Sequence, residues 1–181
     1  MISRKLETLL NALGLFGIAA VLLFAFYDQV ANKELPCPLC LLQRAGFLLL
    51  AIGPVLNVMR GPKPAHYGIA ILAGLLGAGF AARQVLLHIE PGDAGYGAPF
   101  LGIHFYTWAL VVFLGAIAAC ALMLMIRDAQ TASEKPQVTG LGKAAVLSVI
   151  LLAGLNAAST LLECGFDACP DNPVAYELLK P

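Results

Sequence analysis

Five stretches of this chain carry almost no charge, and their length leaves few folds open. Thr8–Tyr27 is 20 residues without a charged side chain, Ala45–Met59 adds 15, His104–Ile126 holds no Asp, Glu, Lys or Arg, and Ala144–Leu162 is another 19. Tyr67–Leu87 is interrupted only by Arg83. A helix rising about 1.5 Å per residue needs about 20 apolar residues to cross the hydrocarbon of a bilayer. Each run approaches that length, the second once it is extended back through Arg44 to Cys40. The predicted fold is all-α: an integral membrane helical bundle, one membrane domain over residues 1–181, with spans at about 8–27, 40–59, 67–87, 104–126 and 144–162.

Composition agrees. The 181 residues are 60% hydrophobic and only 12% charged, about half the charge of an ordinary soluble domain. Eleven basic residues balance eleven acidic ones, so there is no basic field to hold nucleic acid, and membrane lipid is the expected surrounding. With the N-terminus inside, the inner segments hold Arg4, Lys5, Arg60, Lys63, Arg127, Lys135 and Lys143, and the outer ones hold Lys33, Arg44, Arg83 and Lys180. Lys and Arg stay on the cytoplasmic side, so the bias predicts N-in, C-out. The first run is longer than a signal-peptide core and no A-x-A site follows Tyr27, so it is expected to be an anchor. The outer segments are then 28–39, 90–103 and the tail 163–181; the inner connector Arg127–Lys143 is polar enough to be expected mobile. Ala73, Gly77, Gly14 and Gly74 are small residues suited to close helix approach.

The cysteines point to the chemistry. Four of the five lie in or beside the outer segments and pair by spacing, Cys37 with Cys40 in Pro36-Cys-Pro-Leu-Cys and Cys164 with Cys169 in Glu-Cys-Gly-Phe-Asp-Ala-Cys-Pro. That side of the membrane is the oxidising one. Pro38 suits the first position of a helix, which puts Cys40 in the first turn, where free N–H groups and the helix dipole favour a thiolate. Two blander readings of this pair stay open: a structural disulfide, which within four residues constrains little loop entropy, and half a metal site, for which only His88 and His104 lie near. Arg44 follows four residues after Cys40, on the same helix face, just inside the membrane. It either stabilises a thiolate or ring oxygen, or anchors at the headgroups. Cys120, between two alanines of the fourth run, reads as an inert packing residue. Trp108 and Tyr106 at the outer start of the fourth run, with Phe24, Phe26 and Tyr27 at the outer end of the first, read as an interfacial aromatic belt that can also line a ligand slot.

Cys37-Pro-Leu-Cys40-Leu-Leu-Gln-Arg44, between the first two spans, resembles the disulfide bond formation protein B (DsbB) family of bacterial inner-membrane oxidoreductases. Ala82-Arg83-Gln84-Val85-Leu86-Leu87-His88-Ile89-Glu90-Pro91 extends the likeness. The resemblance implies a four-helix DsbB-like core, here with a fifth transmembrane helix, in the inner (plasma) membrane with the cysteine pairs on the periplasmic side. It further implies oxidation of a thioredoxin-fold dithiol partner of the DsbA type, with the electrons passed to ubiquinone or menaquinone. The implied catalytic residues are Cys37, Cys40, Cys164 and Cys169; Arg44, Arg83 and Gln84 are the implied quinone-side residues, and no metal is implied. Two features depart from the family pattern. The loop 90–103 lacks the second cysteine pair, which follows the fifth span instead, and Gln84 stands where relatives often have His. Glu163 and Asp167, read as tail residues, lie next to the tail pair and would raise its thiol pKa values. Two other functions fit the four outer cysteines: a vitamin K epoxide reductase-like thiol/quinone protein run in the opposite direction, and a non-enzymatic metal-handling assembly factor.

Overall fold

The structure, a computed structural model, describes residues 2–127 and 138–180. Five helices follow in chain order: α1 Arg4–Ala31, α2 Pro38–Arg60, α3 Pro64–Leu87, α4 Phe105–Ile126 and α5 Gly140–Cys164. All five are long and apolar enough to cross a membrane. The tail adds one 3₁₀ turn, Glu177–Leu179. Most of the polar connector expected to be mobile, Asp128 to Lys135 included, lies outside the described residues.

All helices but α4 overrun their charge-free runs, and two of them start at side-chain hydroxyl caps. Ser3 Oγ accepts from the Leu6 N–H at 3.4 Å, and Thr139 Oγ1 accepts from the Gly142 N–H at 3.0 Å, satisfying donors that a helix start leaves open. Two boundary shifts matter for the site. Helix α1 runs to Ala31, so Gln29 is helical and buried where a loop from residue 28 was expected. Helix α5 runs through Cys164 and ends at Gly165, whose φ of +64° suits glycine. Glu163 therefore belongs to the last turn of a helix and is fully buried, against the expectation of a tail residue.

Helix α2 packs on α1 and α3, α3 on α4, and α5 on α1 with a smaller contact to α2. Lipid supplies no hydrophobic drive between helices, so fit must hold them. Where α2, α3 and α4 meet, the Phe113 ring stacks on Phe47 with centroids 4.1 Å apart. Room for that ring comes from Gly77 and Gly46: a Cβ on Gly46 would stand 3.0 Å from Gly77 Cα and 3.1 Å from Phe113 Cζ. Gly74 faces Ile117 in the same seam, whereas Gly14, expected at a close approach, has nothing within 4 Å. Cys120 packs half-buried against the apolar core. The outward faces are apolar too, with Leu72 at 70%, Leu151 at 67% and Met125 at 82% exposure, as surfaces turned to lipid require.

At the end away from the cysteine pairs the helices are tied by a buried polar network. Asn11 Nδ2 donates to Tyr67 Oη at 2.8 Å, Tyr67 donates to Glu7 Oε1 at 3.0 Å, and Arg127 Nε donates to the same carboxylate at 3.3 Å. Asn57 Nδ2 donates to Asn11 Oδ1 at 2.9 Å, and Asn57 Oδ1 accepts from the Lys63 N–H at 3.1 Å and from His66 Nδ1 at 2.9 Å. Arg127 Nη2 also reaches the Pro62 carbonyl at 3.1 Å. The start of α1, the α2–α3 corner and the end of α4 are thereby joined.

Candidate redox site

Helix α2 begins at Pro38 with Cys37 as its cap, and Cys37 Sγ accepts from the Cys40 N–H at 3.2 Å. Proline at the first position costs no hydrogen bond and fixes the entry of the chain. Cys37 and Cys40 are joined in a disulfide, as are Cys164 and Cys169. Gln84 of α3 is 1% exposed. Its Nε2 donates toward Cys37 Sγ at 3.3 Å and Cys40 Sγ at 3.6 Å, while its Oε1 accepts from Gln43 Nε2 at 2.6 Å. The amide is thus held with its donors aimed at the sulfurs.

Arg44 turns inward and is 7% exposed. Its Nη1 donates to Gln29 Oε1 at 2.6 Å and its Nη2 to the Ala25 carbonyl at 3.0 Å. The guanidinium also lies 5.1 Å from the centroid of the Phe26 ring, a cation–π contact. Gln29 continues the chain of contacts outward, its Nε2 donating to Ser159 Oγ of α5 at 2.9 Å and to Tyr176 Oη of the tail at 3.0 Å. The segment that carries Cys169 is therefore tethered to the side chain that holds Arg44.

Between α1 and α4 lies a cavity of about 480 Å³. Phe24, Phe47, Phe105, Tyr106 and Trp108 form much of its wall, and Cys40, Gln43 and Arg44 reach it from α2. Trp108 Nε1 is satisfied by the Phe100 carbonyl at 3.0 Å, so the indole presents an apolar face. The wall thus combines aromatic faces with the Arg44 cation, the Asp28 and Glu34 carboxylates and the Cys40 sulfur. The loop 90–103 closes over the site. Tyr96 Oη donates to the Leu35 carbonyl at 2.6 Å, and burial, with Glu163 and Glu34, pushes its phenol pKa up. Asp93 accepts from the Gly95 N–H at 2.7 Å and faces His88 at 3.2 Å, which together hold its carboxyl below the usual aspartate range.

The structure brings together Cys37, Cys40, Arg44 and Gln84. Arg83 sits on the exposed face of α3, away from the cavity wall. Gln84 meets sulfur and does not line the cavity. Cys164 and Cys169 lie at the same end of the bundle, since α5 ends where α2 begins. Of the belt aromatics, Phe24, Tyr106 and Trp108 line the cavity, Phe26 lies under Arg44, and Tyr27 is 63% exposed. Among the described residues no three His, Cys, Asp or Glu side chains converge as metal ligands do. Gln29, Gln43, Ser159 and Tyr176 escaped sequence reasoning. A lone glutamine near the end of an apolar helix was the available signal for Gln29.

Fold and site define a polytopic helical membrane protein with a redox-type cysteine pair heading one helix beside an apolar cavity. Residues 7–98, just over half of the chain, match the family model for Disulfide bond formation protein DsbB, and the chain belongs to that family. It is a multi-pass inner-membrane protein carrying two cysteine pairs. A Disulfide bond formation protein B of Xanthomonas campestris pv. campestris (strain 8004) is 40% identical over 86 residues, covering 45% of this chain and 50% of the relative. One from Aromatoleum aromaticum is 28% identical over 151 residues, covering 64% of this chain and 90% of the relative. The chain thus spans about half the length of the Xanthomonas relatives and most of the Aromatoleum one. No solved structure matches. The family match ends before α4, so α5 and the tail pair lie beyond it.

Proposed function

We propose that this protein is a disulfide-forming thiol oxidase. It takes an electron pair from a reduced thioredoxin-fold dithiol of the DsbA type on the periplasmic side and delivers it, through its two cysteine pairs, to ubiquinone or menaquinone in the cavity between α1 and α4. One observation carries the reading: Cys40 and Arg44, one helical turn apart, both face the same aromatic-walled cavity. A quinone bound there supplies an acceptor for two electrons and two protons. Arg44 would hold a ring oxygen, and Phe24, Phe47, Tyr106 and Trp108 would flank the ring.

The remaining chemistry belongs to the chain. A partner thiolate attacks the Cys164–Cys169 bond, forms a mixed disulfide, and is released when the partner's second thiol closes its own disulfide. A tail thiolate attacks the Cys37–Cys40 bond in the same way. Cys40 leaves as a thiolate in the first turn of α2, where the helix dipole eases its departure, and the Gln84 amide, locked by Gln43, gives the departing sulfur a donor. Arg83 stays outside this scheme because it is exposed and away from the cavity.

The test compares two substrates in purified protein with quinone. Cys164→Ser or Cys169→Ser is expected to stop oxidation of a folded thioredoxin-like dithiol while Cys37 and Cys40 still oxidise a small dithiol that diffuses to them. Equal losses on both substrates would refute the relay and leave the tail disulfide a structural staple.

A further inference from the structure

Among the described residues Glu163 is the one buried acid at the cysteine end, and the scheme above gives it no work. It is 0% exposed, and among the described residues neither of its oxygens has a hydrogen-bond partner. Burying a carboxyl with no donor costs several kcal/mol, and ionisable groups at such depth commonly mark proton paths. It follows Ser159 by one turn of α5, and Ser159 bonds the Gln29 side chain that holds Arg44. In sequence it adjoins Cys164, which is itself buried. In space its charge reaches Tyr96, whose hydroxyl is bonded to Leu35 two residues before Cys37, and Arg44, four residues after Cys40. Arg44 is the cation that acts on Glu163; Arg44 is in turn influenced by Asp28 of α1 and Tyr176 of the tail, and Tyr96 by Glu34 of the outer loop.

We propose that Glu163 is the proton carrier of the transfer between the tail pair and Cys37–Cys40, an inference that rests on the relay proposed above. As Cys164 attacks Cys37, its thiol proton passes to the Glu163 carboxylate. The Cys164–Cys37 bond forms, the Cys37–Cys40 bond breaks, and Cys40 leaves as a thiolate, which takes that proton. Cys169 then gives its proton to Glu163 and attacks Cys164. The tail disulfide re-forms, and Cys37 leaves and is protonated in turn. Two electrons and two protons have moved from the tail thiols to Cys37 and Cys40, with Glu163 restored. Cys169, half-exposed, is the sulfur the external partner meets, and Cys164 is the internal one.

The experiment follows each pair separately in intact, quinone-free protein. A reduced thioredoxin-fold protein is mixed in, samples are quenched by alkylation, and thiols at Cys164/Cys169 and Cys37/Cys40 are read by peptide mass between about pH 6 and 9. Glu163→Gln is expected to leave reduction of the tail pair unchanged, to slow transfer to Cys37/Cys40 by roughly a hundredfold, and to alter the pH dependence of that step. Glu163→Asp is expected to recover part of the rate, which a merely structural role would not require, and it serves alone if Glu163→Gln fails to fold. Wild-type transfer with either folded variant matching its rate and pH profile would overturn the proton role and leave the relay standing. Failure of the wild-type protein to pass electrons between the pairs would overturn both.

Discussion

The two ends of the bundle each bury a glutamate completely and treat it in opposite ways. Glu7 and Glu163 are both 0% exposed. Glu7 is met by the Arg127 guanidinium and the Tyr67 hydroxyl within a network of buried amides. Glu163 has no hydrogen-bond partner among the described residues. A buried charge with its counter-charge in place is a fastener, since removing either side strands the other. A buried carboxyl with no donor is free to exchange a proton. The same contrast runs through the neighbours. Polar side chains bond to one another at both ends, but only near the cysteines do the donors of Gln84 aim at sulfur and Arg44 border a cavity. One end fixes the helices, and the other is arranged to react.

Substitutions that separate stability from chemistry sharpen this contrast. The largest effect is expected from Cys40→Ser, which should abolish quinone reduction by either thiol substrate yet leave unfolding in detergent within about 1 kcal/mol of wild type, because the sulfur contributes little packing. Lost folding in step with lost activity would break the comparison. Next comes Arg127→Ala, which leaves Glu7 buried and uncompensated. It should cost about 3 kcal/mol in an equilibrium unfolding assay, while protein that remains folded keeps the wild-type turnover of a small dithiol.

Arg44→Lys should act more gently. The charge survives but the planar fork shared between Gln29 and Ala25 is lost. The expected outcome is a rise of about tenfold in the apparent KM for quinone with little change in stability, about 1.4 kcal/mol of binding. Unchanged quinone kinetics would assign Arg44 to anchoring alone.

The smallest effect belongs to the exposed loop. The Gly95 N–H and His88 hold the Asp93 carboxyl below its ordinary value. The order this lends the loop is therefore complete above about pH 4, the ordinary aspartate value, and is lost as pH falls through the lowered folded value. Asp93→Ala should speed exchange of the Gly95 amide at neutral pH, and the difference from wild type should shrink in acid.

Much of this arrangement is legible in the sequence, and the parts that are not share a cause. Long charge-free runs announce helices because lipid tolerates little else, and Cys37-Pro-Leu-Cys40 announces its helix start through Pro38. A charged residue at the edge of a run looks the same whether it faces water or the interior. Glu7 and Glu163 therefore read as flanks, although one is paired with Arg127, distant in sequence, and the other is enclosed at the end of α5. Gln84 was visible as a polar residue in an apolar span. That its amide meets sulfur and not the cavity depends on which way α3 turns toward α2, and hydropathy does not encode that.

The most direct measurement starts from fully reduced, purified protein held without oxygen. Ubiquinone is added, and its absorbance is followed together with the thiol state of Cys37 and Cys40. The account predicts one quinone reduced to quinol for each disulfide formed, with Cys37–Cys40 re-forming first. Persistence of free thiols at Cys37 and Cys40 while the quinone spectrum stays unchanged would contradict it.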